Sequence, residues 1–203
     1  MRVVVPFDAA NPNSRLSSVL SADQRRGFAA AMLADVLSAV RDAGGEPTVL
    51  AAAPVDGVDA PVAVDDRPLS VAVNAALGDL PTAVVMADLA LATPAAVGGL
   101  FDADGDVVLA PGLAGGTNAV VARHSEFRVD YHGASFRDHV AAAESVGASV
   151  ATVDSFRLAV DVDEPSDLVD VFVHGDGAAA DWLRDAGFEL AVRDGDPVVE
   201  PNA

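Results

Sequence analysis

Cysteine and lysine are both missing from this chain of 203 residues. Without cysteine there is no disulfide, no thiolate nucleophile and no sulfur-ligated metal, which weakly favours a cytoplasmic location. Without lysine, all 12 basic residues are arginine; they face 31 acids, of which six are glutamate, for a formal net charge of −19. Nucleic acid is therefore not an expected partner, because no basic stripe with interleaved aromatics offsets that charge. Aromatics are also sparse, with one Trp and one Tyr. No apolar run approaches the roughly 18 residues of a membrane span, and the apolar start at residues 3–7 is too short for a signal peptide. The expectation is a soluble, cytoplasmic protein with no membrane partner.

Despite the charge, 51% of the residues are hydrophobic and mean hydropathy is +0.33, values of a chain that folds. At low ionic strength such an excess of carboxylates strains a compact state by self-repulsion. At about 1 M salt the Debye length falls to roughly 3 Å, and the strain is largely screened. The composition is that of a salt-adapted protein.

Valine-rich apolar runs at residues 3–7, 48–53, 83–86, 107–110, 150–153 and 158–162 lack strict alternation, the pattern of strands buried on both faces. Helical patterns lie between them, at 21–43, 69–77, 93–101, 135–146, 166–173 and 178–186. The first is the clearest. Ser21 and Gln24 form a capping-box pair, Phe28, Met32, Leu33, Val36 and Val40 recur at helical spacing, and Gly44-Gly45 ends the run. Strands alternating with helices predict a three-layer α/β/α fold, Rossmann-like, with a mostly parallel sheet in a single domain over residues 1–203 and ligands at the carboxyl ends of the strands.

That rule selects the polar residues worth weighing. Gly115, Gly116, Thr117 and Asn118 follow an apolar run; paired glycines let backbone N–H groups turn toward an anion and Thr117 adds a hydroxyl, although the same residues suit an ordinary hairpin. Asp88 follows the run ending at Met86, where a carboxylate can hold a cation or simply cap a turn. Asp161 and Asp163 close another predicted strand; spacing of two puts both on one face, able to share a metal, unless one is an N-cap. Ser14 and Arg15 lie in a loop between a strand and the long helix, a plausible cradle for a triphosphate. His132 and Ser135 lead into a helix N-terminus, where an anion meets free N–H groups; for Ser135 and for His139, one turn inside, plain structural roles stand beside the functional ones.

Taken in order, the Asn-Ser-Arg-Leu loop at 13–16, Val-Asn-Ala-Ala-Leu at 73–77, Ala-Asp-Leu at 87–89, Gly-Gly-Thr-Asn-Ala at 115–119, Tyr-His-Gly-Ala-Ser at 131–135 and Asp-Val-Asp-Glu-Pro at 161–165 resemble the 2-phospho-L-lactate guanylyltransferase family of coenzyme F-420 biosynthesis. That resemblance implies the nucleotide-diphospho-sugar-transferase fold and a Mg²⁺-dependent transfer of GMP from GTP to 2-phospho-L-lactate, yielding lactyl-2-diphospho-5'-guanosine and pyrophosphate. It implies Asp88, Asp161 and Asp163 as metal ligands, Ser14 and Arg15 at the triphosphate, and Asn74 near the nucleoside. Thr117 and Ser135, with the loop at Gly115, Gly116, Asn118 and His132, would receive the acceptor's phosphate. Catalysis would rest on Arg15 and Asp88. The alternatives are the same transfer to phosphoenolpyruvate or 3-phosphoglycerate, or a weakly active nucleotide-binding relative that partners the next enzyme of the pathway. A homodimer is left open. The chain departs from the family at Asp8 and Asn13, where lysines are usual, at His132, where glycine is usual, and at Ala90, where proline is.

Overall fold

The computed structural model describes residues 1–202. Seven strands form the central sheet: β1 (Arg2–Pro6), β2 (Glu46–Ala51), β3 (Val62–Val64), β4 (Thr82–Val85), β5 (Val107–Pro111), β6 (Thr117–Ala122) and β7 (Val150–Thr152). Their order across the sheet is β3-β2-β1-β4-β6-β5-β7, and all pairs are parallel except those of β6, which runs antiparallel to β4 and β5. Seven helices follow in chain order: α1 (Ala22–Asp42), α2 (Leu69–Ala76), α3 (Pro94–Asp102), α4 (Ser135–Ser145), the single turn α5 (Phe156–Ala159), α6 (Asp167–His174) and α7 (Ala178–Asp185).

The valine-rich runs are buried on both faces because helices cover both. Val3, Val5, Ala83, Val85, Val108 and Val121 point toward α1 and α3, where they meet Leu33, Val36, Val97 and Leu100. Their neighbours Val4, Val84, Leu109 and Val120 point the other way, onto Ala72 and Val73 of α2 and Ala143 of α4. The three-layer α/β/α expectation holds. A third apolar cluster joins the outer side of α1 to α6, α7 and a terminal hairpin, β8 (Phe188–Arg193) with β9 (Asp196–Pro201).

Local chemistry accounts for the boundaries. Ser21 Oγ accepts from the Gln24 N–H at 3.3 Å while Gln24 Oε1 accepts from the Ser21 N–H at 2.9 Å, closing the capping box of α1. Thr93 caps α3 ahead of Pro94. Two expectations fail. Residues 158–162 do not form a strand: the chain makes the turn α5 and then crosses irregularly, so Asp161 and Asp163 do not share a strand face. Short apolar runs cannot be assigned by periodicity alone, and this one packs against β5 and β6 rather than joining the sheet. Conversely, Thr117 and Asn118 begin a strand, β6, that no expected run marked; Gly112 N–H bonds to Gly116 O and Gly115 N–H to Gly112 O, both at 2.9 Å, so the glycines close the hairpin that the sequence also allowed, with Gly115 at φ +85°.

Candidate active site

A cleft of about 350 Å³ opens at the carboxyl ends of β1, β2 and β4, next to the point where chain order reverses across the sheet. Its walls are largely apolar, with Pro6, Phe7, Leu50 and Met86 from the strand ends and Met32 from α1. Its polar lining is lopsided: the carboxylates of Asp8, Asp65, Asp88 and Asp163 face one arginine, Arg67, which is already bonded through two nitrogens to Asp65.

Asp88 is the most unusual group there. It lies three residues past the end of β4, and its Oδ1 is sealed from solvent with no hydrogen-bond partner. Burial, then the charges of Asp161 and Asp163, push its carboxyl up to about 7. Asp163, also raised by burial, is held by Arg15 at 2.9 Å in a largely exposed ion pair. Asp161 accepts from Asn118 Nδ2 at 3.1 Å. Each neighbour is thus turned toward a partner of its own, and among the described residues no three acidic or histidine side chains converge on one point as ready metal ligands. The three aspartates form a charge cluster with one orphaned oxygen, a donor set that fits a divalent cation whose remaining ligands come from phosphate and water.

The first loop is built to hold its shape without lysine. Asp8 Oδ1 accepts from the N–H groups of Ala10 and Asn11. Asn13, with a left-handed φ of 45°, donates from Nδ2 to Val162 O at 2.7 Å, tying the loop to the segment carrying Asp161 and Asp163. Ser14 and Arg15 then stand exposed on a 3-10 turn (Ser14–Ser18) beside that segment.

The remaining predicted residues lie outside the cleft lining. Ser135 is the first residue of α4 but not its cap, which is Ala134; its Oγ accepts from the Thr117 N–H at 3.1 Å. Thr117 Oγ1 meets His139 Nδ1 at 2.8 Å. His132 is exposed at the rim and pairs with Asp130. Two assignments change character. Asn118 sends Nδ2 to Leu158 O, Ala159 O and Asp161 Oδ1, so it positions the aspartate segment rather than offering itself to an anion. Asn74 donates to Val129 O and accepts from Val129 N–H, both at 2.8 Å, so its amide fastens α2 to the stretch before Tyr131 rather than reaching a nucleoside. Asp65 and Arg67, which line the cleft, follow the edge strand β3; that strand has three residues and left no readable periodicity.

Residues 1–199 match the family described as guanylyl transferase CofC like. The chain belongs to that family. This CofC-like protein is 64% identical over 208 residues to a 2-phospho-L-lactate guanylyltransferase of Halobacterium salinarum, covering all of both chains. To one of Halomicrobium mukohataei it is 61% identical over 202 residues, covering 98% of this chain and 99% of the other. Among solved structures, a protein from Desulfovibrio desulfuricans described as a nucleotide-diphospho-sugar transferase superposes with a TM-score of 0.72 at 13% identity, over 91% of this chain and 94% of that one, which speaks for the fold. The CofC-like chain is a nucleotidyltransferase, and no helix among its described residues is long and apolar enough to cross a membrane.

Proposed function

We propose that this protein moves GMP from GTP to the phosphate of 2-phospho-L-lactate in the presence of Mg²⁺, giving lactyl-2-diphospho-5'-guanosine and pyrophosphate for coenzyme F-420 synthesis. The names of its close relatives give the substrate class. The observation that carries the chemistry is the orphaned Asp88 oxygen within a cluster of aspartates at the end of an apolar cleft. A triphosphate entering a cleft lined by four carboxylates and one already paired arginine is repelled unless cations come with it.

In this reading the apolar walls take the purine, and Asp88, Asp161 and Asp163 would hold the metal, with phosphate and water completing its ligands. Mg²⁺ bound there would neutralise charge on the donor's phosphates. Ser14 and Arg15 meet the triphosphate at the edge of the same cluster. Thr117 and Ser135, with the backbone from Gly115 to Gly116 and His132 at the rim, receive the acceptor's phosphate. An acceptor phosphate oxygen attacks the α-phosphorus of GTP, the bond to the β-phosphate breaks, and pyrophosphate leaves. That oxygen is anionic at neutral pH, so no strong general base is required; the protein positions two anions and tempers their charge. We read the protein as one domain, a reading supported by α1, which sends residues into both the sheet core and the terminal cluster.

The test is product identity. With GTP, Mg²⁺ and 2-phospho-L-lactate in high KCl, ³¹P NMR should show loss of the GTP signals and growth of a diphosphodiester alongside pyrophosphate. Intact GTP, or free GMP in place of the diester, would contradict the reading.

A further inference from the structure

His139 is fully buried on α4, with the Thr117 hydroxyl against its Nδ1 edge and aromatic rings beside it. Its Nε2 lies 2.8 Å from the backbone nitrogen of Asp130, and a backbone N–H only donates, so Nε2 is the bare nitrogen of the ring. Burial lowers the affinity of this imidazole for a second proton, although Asp130 and Asp138 pull the other way, and the ring stays neutral. The one ring proton is therefore on Nδ1. Tyr131 and Phe127 stand edge-on to the ring at centroid distances of 5.1 and 6.3 Å, which holds its plane.

The consequence falls on Thr117. Its Oγ1, 2.8 Å from Nδ1, accepts the imidazole proton, so its own O–H points away from the ring. Ser135 Oγ is set in a similar way: it accepts from the Thr117 N–H, leaving its own O–H to donate elsewhere. Two adjacent buried hydroxyls each spend a lone pair on the frame and keep a donor free, which is what an anion requires. Both ring nitrogens of His139 are engaged, so it has no proton to exchange with substrate.

We infer that His139 is a positioning residue for the acceptor: by donating from Nδ1 to Thr117 Oγ1 it holds the Thr117 hydroxyl as a donor to the acceptor's phosphate, while Nε2 ties down the loop at Asp130. This rests on the proposed placement of Thr117 and Ser135 at that phosphate. It separates His139 from its neighbour His132, which is exposed and paired with Asp130.

The experiment compares KM for 2-phospho-L-lactate and for GTP in wild type, Thr117→Val, His139→Asn and His139→Gln, with thermal midpoints for each. Asparagine places an N–H where Nδ1 was; glutamine places its polar end where Nε2 was. A lost charge-assisted bond corresponds to about tenfold or more in binding. The expected result is a rise of about tenfold in acceptor KM for His139→Gln, a rise within about threefold for His139→Asn, and GTP KM unchanged in both. Equal effects of the two variants, or a rise in both KM values, would overturn the positioning role and leave a structural one. An unchanged acceptor KM in Thr117→Val would instead overturn the placement of Thr117 itself. A second readout needs no variant to fold: ¹⁵N–¹H correlation of the wild-type imidazoles should show the buried histidine protonated at Nδ1, and a proton on Nε2 would refute the inference.

Discussion

Asp88 costs the fold stability, because its carboxyl is buried with one oxygen lacking any partner. Its carboxyl titrates near 7 in the folded protein and near the ordinary 3.8 once unfolded. Below pH 4 it is neutral in both states; as pH climbs from about 4 to 7 the unfolded chain releases the proton first, so stability falls with rising pH and the full penalty stands above 7. Asp88→Asn removes the penalty. Thermal unfolding at pH 8 should show the variant more stable by up to about 4 kcal/mol, at most roughly 8–16 °C in midpoint, with the two proteins converging near pH 4. The same variant should lose pyrophosphate release. Arg15→Ala should do the opposite: its pair with Asp163 is largely exposed and worth little to stability, so the midpoint should move by less than about 2 °C, while GTP binding measured calorimetrically weakens about tenfold or more. Asp88 stood out from sequence by its place after a buried strand. Asn74 and Asn118 look the same in sequence as ligand-binding amides, and only the long-range contacts to Val129 and Asp161 reveal them as braces.

Helices announced themselves where capping chemistry and period agreed, as at Ser21 and Gln24 or Thr93 and Pro94. Five of the seven sheet strands were legible as buried apolar runs, whereas the short edge strand β3 and the central β6 were not. β6 was hidden because Gly-Gly-Thr-Asn reads as a loop until its pairing with β4 and β5 is known. The β8–β9 hairpin carried a signal that could have been used: Asp194-Gly195, both at positive φ, is a turn pair suited to a two-residue hairpin. The run at 158–162 misled because burial alone does not distinguish a strand from a helical turn with an extended exit. One element depends on a residue far away in sequence: α7 begins at Gly177 with no cap of its own, and the Asp35 carboxylate on α1 accepts from the N–H groups of Ala178 and Ala179 at 2.6 and 2.8 Å. Asp35→Ala strands both donors. Its cost should be about 1–2 kcal/mol, seen as a drop of roughly 2–8 °C in thermal midpoint, with activity retained below it.

For the molecule as a whole, charge sets the working conditions. A net −19 with 12 arginines, several of them paired locally as Arg67 is with Asp65 and Arg26 with Asp23, leaves most carboxylates facing solvent unopposed. The thermal midpoint should rise strongly between 0.1 and 3 M KCl, and a flat profile would show that screening is not what holds this fold together. The same excess reaches into the cleft, whose four carboxylates would repel a triphosphate that came without cations. Whether the chemistry of the cleft is the transfer proposed here is decided by pyrophosphate release in high KCl with Mg²⁺ and GTP, the acceptor being 2-phospho-L-lactate, phosphoenolpyruvate or 3-phosphoglycerate in parallel. Release that depends on 2-phospho-L-lactate, exceeds that with either other acceptor and stops when EDTA is added is the predicted result; release that ignores the acceptor or survives EDTA would contradict it.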